Sequence, residues 1–209
     1  MDSNITFVNL AFNEGRVKFG VSIWVILLLI AILAVLIVRF YKHTKKYELV
    51  KIRLKIPGIG NAEFIPNDED IQIAHKLWTQ LITRKAAIVI DPEKDVITEV
   101  YDSWYALFTT TRKLISEIPI KYLNEESTKK LISISTDVLN IGLRPHLTTW
   151  QARYRNWYKD QEDELKTISP QEVQKKYPAY DLLIAEMKKV NANLINYAEQ
   201  LQIIIEAKK

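Results

Sequence analysis

Phe19-Gly20-Val21-Ser22-Ile23-Trp24-Val25-Ile26-Leu27-Leu28-Leu29-Ile30-Ala31-Ile32-Leu33-Ala34-Val35-Leu36-Ile37-Val38 runs twenty residues without a charge, and its reading decides how the rest of the chain is divided. As an α-helix it would be about 30 Å long, the thickness of a bilayer hydrocarbon core. A cleaved leader would open on basic residues, carry a shorter apolar stretch and end at a small-residue cleavage site. Here Asp2 and Glu14 precede the block and Arg39 follows it directly. Phe19–Val38 therefore reads as a single transmembrane helix, with Trp24, Phe40 and Tyr41 as interfacial anchors.

The flanking charges set its expected orientation. Arg16 and Lys18 precede the span, whereas Arg39, Lys42, Lys45, Lys46, Lys51, Arg53 and Lys55 follow it, opposed by Glu48. Excess Lys and Arg on the C-terminal side predicts that the following domain stays in the cytoplasm and the N-terminus is exported. The expected location is the cell membrane, crossed once. Arg39, Lys42, Lys45 and Lys46 would also face anionic headgroups, although the topology signal alone explains them. Ser22 is the only hydroxyl in the span, so a single copy has nothing with which to line an aqueous path.

The remaining sequence is that of a charged globular domain. The chain has 209 residues, five Gly, seven Pro, no Cys and a formal charge of +4. The lack of cysteine excludes disulfide scaffolds, thiol nucleophiles and cysteine-based metal centres.

Residues 1–18 read as a tail, 19–40 as the membrane helix, 41–66 as a basic segment with a β-hairpin, and 67–209 as a helical domain. In Tyr47–Ile56, Val50, Ile52, Leu54 and Ile56 alternate with Lys51, Arg53 and Lys55, the period of a half-buried strand. Pro57-Gly58 breaks it, and Ala62–Ile65 returns as a second strand. Such a hairpin must pack on helices or on a neighbouring subunit.

Helices are predicted over Asp68 to about Ala87, about Glu93 to Glu117, and Glu126–Ile141 with Gly142 as its stop. Another begins near Pro145 and runs to about Asp163. Ser169-Pro170-Gln171-Glu172 reads as a capping box. In the last helix, about Pro178 to Ala207, Leu183, Met187, Val190, Leu194, Tyr197, Leu201 and Ile204 form a heptad seam. That seam suits docking within the chain, and it equally suits self-association.

Little in the sequence suggests catalysis. The three histidines, His43, His75 and His146, have no partners at metal-ligand spacing, and neither a phosphate loop nor a nucleophile elbow occurs. No catalytic residue, metal or cofactor is expected.

The densest cluster is Leu143–Tyr158, LRPHLTTWQARYRNWY. On a helix starting near Pro145, Trp150, Arg153, Tyr154 and Trp157 share a face, and His146 lies at its start. Arginine interleaved with aromatics can bind single-stranded nucleic acid. It can equally be a core stripe whose arginines pair with acids such as Glu99 and Asp102, and the regularity of the aromatics favours this second reading. HEPN-class ribonucleases place a histidine beyond a phosphate-binding arginine, with four to six residues between the two. After Arg144 those places hold Thr149, Trp150 and Gln151, and His146 is too close.

Three segments together, Ala74–Trp78 through Leu81–Lys85, Asp95-Val96 through Glu99–Tyr105, and Leu143–Tyr158, resemble a family of small bacterial single-pass membrane proteins. That family is similar to the membrane accessory proteins of type VI-B CRISPR systems. The resemblance implies a HEPN-like bundle, a homo-oligomeric membrane pore, and antiviral defence beside an RNA-guided RNase or another defence partner. It carries Arg144 over as a remnant of the HEPN motif, with Thr149 where histidine is expected.

The expected fold is thus mainly α: a transmembrane helix, a short hairpin, and a HEPN-like bundle with a long C-terminal helix. The expected function is a membrane-anchored, pore-forming or membrane-perturbing accessory protein. A tethered degenerate ribonuclease and a noncatalytic scaffold for a cytoplasmic partner are the alternatives.

Overall fold

The computed structural model describes residues 8–13, 16–44 and 50–207. The chain divides into two compact units between Glu48 and Leu49, each with its own internal contacts.

In the first unit, β1 (Val8–Asn13) pairs antiparallel with β2 (Arg16–Val21), from Val8 opposite Val21 to Asn13 opposite Arg16. Helix α1 follows over Ile23–Thr44. Two expectations change here. Much of the N-terminal tail is a hairpin, its strands reading as alternation on either side of Glu14-Gly15. Phe19, Gly20 and Val21 belong to β2, so the helix starts later than the uncharged block does.

The uncharged part of α1, Ile23–Val38, is about 24 Å long at 1.5 Å per residue. Among the described residues no helix is long and apolar enough to cross a membrane. Along Ile23–Arg39 every side chain except the half-buried Val25 is exposed. Of the basic group after the block, Arg39 is exposed and Lys42 lies in α1, while Lys45 and Lys46 lie outside the described residues.

The second unit is mainly helical, with one small hairpin. Strands β3 (Ile52–Ile56) and β4 (Gly60–Phe64) pair from Ile52 opposite Phe64 to Ile56 opposite Gly60. Gly58 (φ +75°) and Gly60 (φ +143°) provide backbone angles that side chains with a Cβ resist. Ile52, Leu54 and Ile56 are buried as the alternation predicts, but Val50 precedes the strand and is exposed. The hairpin packs on helices of its own chain. β3 lies on the last helix, where Lys55 N donates to Gln200 Oε1 at 2.8 Å, and β4 meets α4.

Helix α2 (Asp68–Ile82) begins at Asn67 with a reciprocal capping box. Asp70 N donates to Asn67 Oδ1 and Asn67 N donates to Asp70 Oδ2, both at 2.9 Å. It ends at Ile82, short of the predicted Ala87. Residues 83–96 form a connection tied from several sides: Trp104 Nε1 donates to Lys85 O at 2.9 Å, and Lys85 pairs with Asp95 at 2.8 Å. Helix α3 (Ile97–Ser116) starts later than its predicted Glu93 because Pro92–Lys94 make turns.

Beyond α3 the chain is helical without interruption from Glu126 to Lys159. Helix α4 (Glu126–Asp137), a π-helical stretch (Val138–Leu143), the single turn α5 (Arg144–His146), a second π-helical stretch (Leu147–Gln151) and α6 (Ala152–Lys159) join through helical backbone angles. The predicted stop at Gly142 does not occur. Gly142 lies inside the first wide stretch, and only Gly58 and Gly60 take positive φ among the described glycines. The cause is local to Pro145, which has no N–H to donate and whose ring crowds the preceding turn. Widening to i→i−5 relieves the crowding, and Arg144 N accordingly donates to Leu139 O.

The chain closes with α7 (Pro170–Gln174) and α8 (Tyr180–Glu206). Ser169 Oγ accepts from Glu172 N at 3.3 Å, the forward half of the predicted box, while the Glu172 carboxylate pairs with Lys175.

Helix α8 is the axis of the unit. Leu183, Met187, Leu194, Leu201 and Ile204 are essentially inaccessible, and Val190 and Tyr197 are buried with them. They meet α2, β3 and the first π-helical stretch. The heptad seam is therefore consumed by the chain's own core and is closed to a second copy. A stripe of this period satisfies either partner equally, so spacing alone does not separate them.

Candidate anion-binding groove

Helix α3 presents two faces. Val100, Tyr101, Trp104, Leu107 and Phe108 go inward. Asp102, Tyr105 and Arg112 fall at three- and seven-residue steps on the exposed side. On the facing helical path, Arg144, Thr148, Ala152 and Arg155 recur every three or four residues, also exposed. The two rows border a groove of about 720 Å³, floored by Phe108 and Leu147.

Three guanidinium groups line it, held in different ways. Arg144 stacks over the Phe108 ring with Cζ 5.1 Å from its centroid, and its Nε and Nη2 donate to Asn140 Oδ1 at 3.1 and 3.0 Å. Arg112 Nε donates to the carbonyl of Phe108 at 3.3 Å. Arg155 pairs with Asp102, the one carboxylate lining the groove. The stacked and tethered geometries restrain these long side chains before any ligand arrives.

The residues expected to act are only partly brought together. Arg144 lines the groove. Thr149 is exposed, and its hydroxyl donates to the Pro145 carbonyl at 2.8 Å. Thr148 does the same at 3.0 Å, so both hydroxyls satisfy backbone on the proline-disturbed turn.

His146 turns the opposite way, into the core. Its Nε2 lies 3.2 Å from the Tyr101 hydroxyl, and the edge of Trp104 meets its ring. Burial depresses its pKa to about 4, slightly opposed by the carboxylate of Glu186, so the ring is neutral near pH 7.

Tyr154 is fully buried against Tyr101, Trp157, Tyr158 and Tyr177. Trp150 and Trp157 are half-buried against the core. Arg153 alone of the predicted face is exposed, because a guanidinium without an internal partner keeps its hydration. The core-stripe reading describes the aromatics. The acid that pairs is Asp102, with Arg155, at the surface rather than in the interior.

Tyr105 and Arg112 were not singled out by sequence. Their signal was the spacing opposite the Trp104 face, which is also that of an ordinary solvated face.

A second cavity, about 820 Å³, lies between β4 and α4. Glu63 pairs with Lys51 and Arg53, and Glu126 with Lys130, which holds both carboxyl groups below the usual carboxylate range; Glu125 and Asp137 add further negative charge to its lining. Among the described residues no group of acidic and histidine side chains could hold a metal ion. No family model, curated protein or solved structure matches the chain.

Proposed function

We propose that this is a membrane-anchored, noncatalytic oligomer that perturbs the bilayer as an accessory to bacterial antiviral defence. The observation that carries the membrane part is α1, whose apolar side chains from Ile26 to Val38 are all exposed. Burying one such side chain contributes roughly 1.5–3 kcal/mol, so an unbroken exposed run requires lipid or protein around it. The defence role rests on the resemblance of the three segments described above.

As a span, α1 would be short. The uncharged part falls about 6 Å short of a hydrocarbon core of about 30 Å. Arg39 and Lys42 extending toward headgroups, or local thinning of the bilayer, would make up the difference. With the α8 seam occupied internally, self-association falls to α1 and to other surfaces. His146 and Arg144 point into different surroundings, which weighs against the ribonuclease alternative.

Membrane fractions of cells expressing the full chain test this reading. The protein should resist extraction by alkaline carbonate, and in detergent its mass should exceed that of one copy. Recovery in the soluble fraction, or a monomer at micromolar concentration, would overturn it. Cells should also depolarise on induction with a partner system.

A further inference from the structure

The groove between α3 and the Arg144–Arg155 face has a composition that a merely solvated surface does not need. Three guanidinium groups and one carboxylate converge on a concavity with an apolar floor. Arg155 is neutralised by Asp102, which leaves Arg112 and Arg144 without an acidic partner among the described residues. Their tethers are neutral acceptors, the Phe108 carbonyl and the Asn140 amide oxygen. Each guanidinium carries five N–H donors and no acceptor, so both retain donors for an incoming anion.

We propose that this groove binds a small phosphorylated ligand of the mononucleotide class, its phosphate held by Arg112 and Arg144 and its base laid on Tyr105. A phosphate monoester carries about −1.5 to −2 charge at pH 7, which matches two free guanidinium groups. Arginine is the side chain that meets phosphate oxygens with paired donors. Tyr105 is 57% exposed, a large aromatic surface left in water at the rim. A volume of about 720 Å³ is that of a small-molecule site. A polynucleotide would need a longer basic track, whereas here the positive charge is one cluster with Asp102 in it. The inference concerns the second unit alone and is independent of where α1 lies.

The test uses the full chain in detergent, titrated calorimetrically with ADP, inorganic pyrophosphate, a single-stranded RNA hexamer and phosphatidylglycerol vesicles. ADP should bind saturably and more tightly than pyrophosphate. Arg112→Gln and Arg144→Gln should each weaken ADP by about tenfold or more. Tyr105→Ala should remove the advantage of ADP over pyrophosphate. Arg84→Gln, which removes the same charge elsewhere, should leave binding unchanged. All four substitutions are at solvent-accessible sites, and unaltered thermal unfolding would show that the fold is kept. No saturation with millimolar ADP, or ADP binding indifferent to both groove arginines, overturns the proposal. So does binding of the hexamer or the vesicles through these arginines without competition from ADP.

Discussion

The Tyr101 hydroxyl lies 3.2 Å from Nε2 of His146, and both groups are buried where α3 meets the turn between the two π-helical stretches. A neutral imidazole can accept a proton-donating hydroxyl there. An imidazolium would hold a charge in an aromatic pocket, with Trp104 and Tyr154 closing around Tyr101.

Acid should therefore loosen this unit through His146. Unfolded, the side chain titrates near 6.5, and folded near 4. Between those values the unfolded chain binds more protons, so the contribution is present in full above 6.5 and is lost as pH falls toward 4. The amount is up to about 3 kcal/mol. Urea unfolding of the wild type at a series of pH values should show this decline, and His146→Gln should flatten it. An equally steep decline in the variant would assign the acid sensitivity to other groups.

Asn191 ties α8 to the segment after α2. Its Oδ1 accepts from Ile90 N at 3.2 Å, and its Nδ2 donates to Ala86 O at 2.8 Å and Ile88 O at 3.1 Å. Asn191→Leu keeps the branching and the number of heavy atoms, though it is bulkier, and leaves backbone groups unpaired, two of them in buried residues. Its expected cost is about 3 kcal/mol, read as a lower urea midpoint at unchanged slope.

The capping box of α2 reaches α4 through Thr128. The Thr128 hydroxyl donates to Asp70 Oδ1 at 2.7 Å and accepts from Asn67 Nδ2 at 3.1 Å, and Asp70 is fully buried. Thr128→Val keeps the shape and removes the hydroxyl, so it should destabilise by about 1–3 kcal/mol. Thr128→Ser should cost clearly less. Equal losses in the two variants would locate the effect in packing instead.

The Tyr154 hydroxyl has the opposite expectation. It is buried without a hydrogen-bond partner among the described residues, and burial raises its pKa strongly. Removing it takes away a desolvated polar group while leaving the ring that packs on Tyr158 and Tyr177. Tyr154→Phe should be neutral or stabilising by about 1 kcal/mol in thermal unfolding. A marked loss of stability would mean that the hydroxyl is satisfied by a bound water.

Much of the second unit was legible because its elements bury one face. The alternation of Ile52, Leu54 and Ile56 and the seam from Leu183 to Ile204 name their inward residues directly. They do not name what covers them, since a core and an oligomer interface reward the same period. The hairpin Val8–Val21 was obscured by its neighbour: the apolar residues of β2 run into those of α1 without a break, so hydrophobicity alone merges strand and helix. Continuity through Pro145 was hidden for another reason. Proline and glycine usually end helices, and the widened turn that accommodates them has no signature of its own. Asp102 was a legible partner for the arginines of Leu143–Tyr158, but that Arg155, 53 positions away, is the one it meets, and at the surface, depends on how the two helices lie side by side.

The two wide stretches around Arg144–His146 are also a matter of residue count. A turn that closes on the fifth residue back holds more chain than an ordinary turn, so each stretch acts as an insertion absorbed within a helix instead of looped out. Deleting one residue inside either stretch would let the turn close on the fourth residue back, and the residues downstream would keep their faces. Deleting one from the regular turns of α4 would instead rotate everything that follows by about 100°, taking Tyr154 out of the core and Arg155 away from Asp102. The wide stretches are thus the places along this helical path where chain length can change at least cost to the packing.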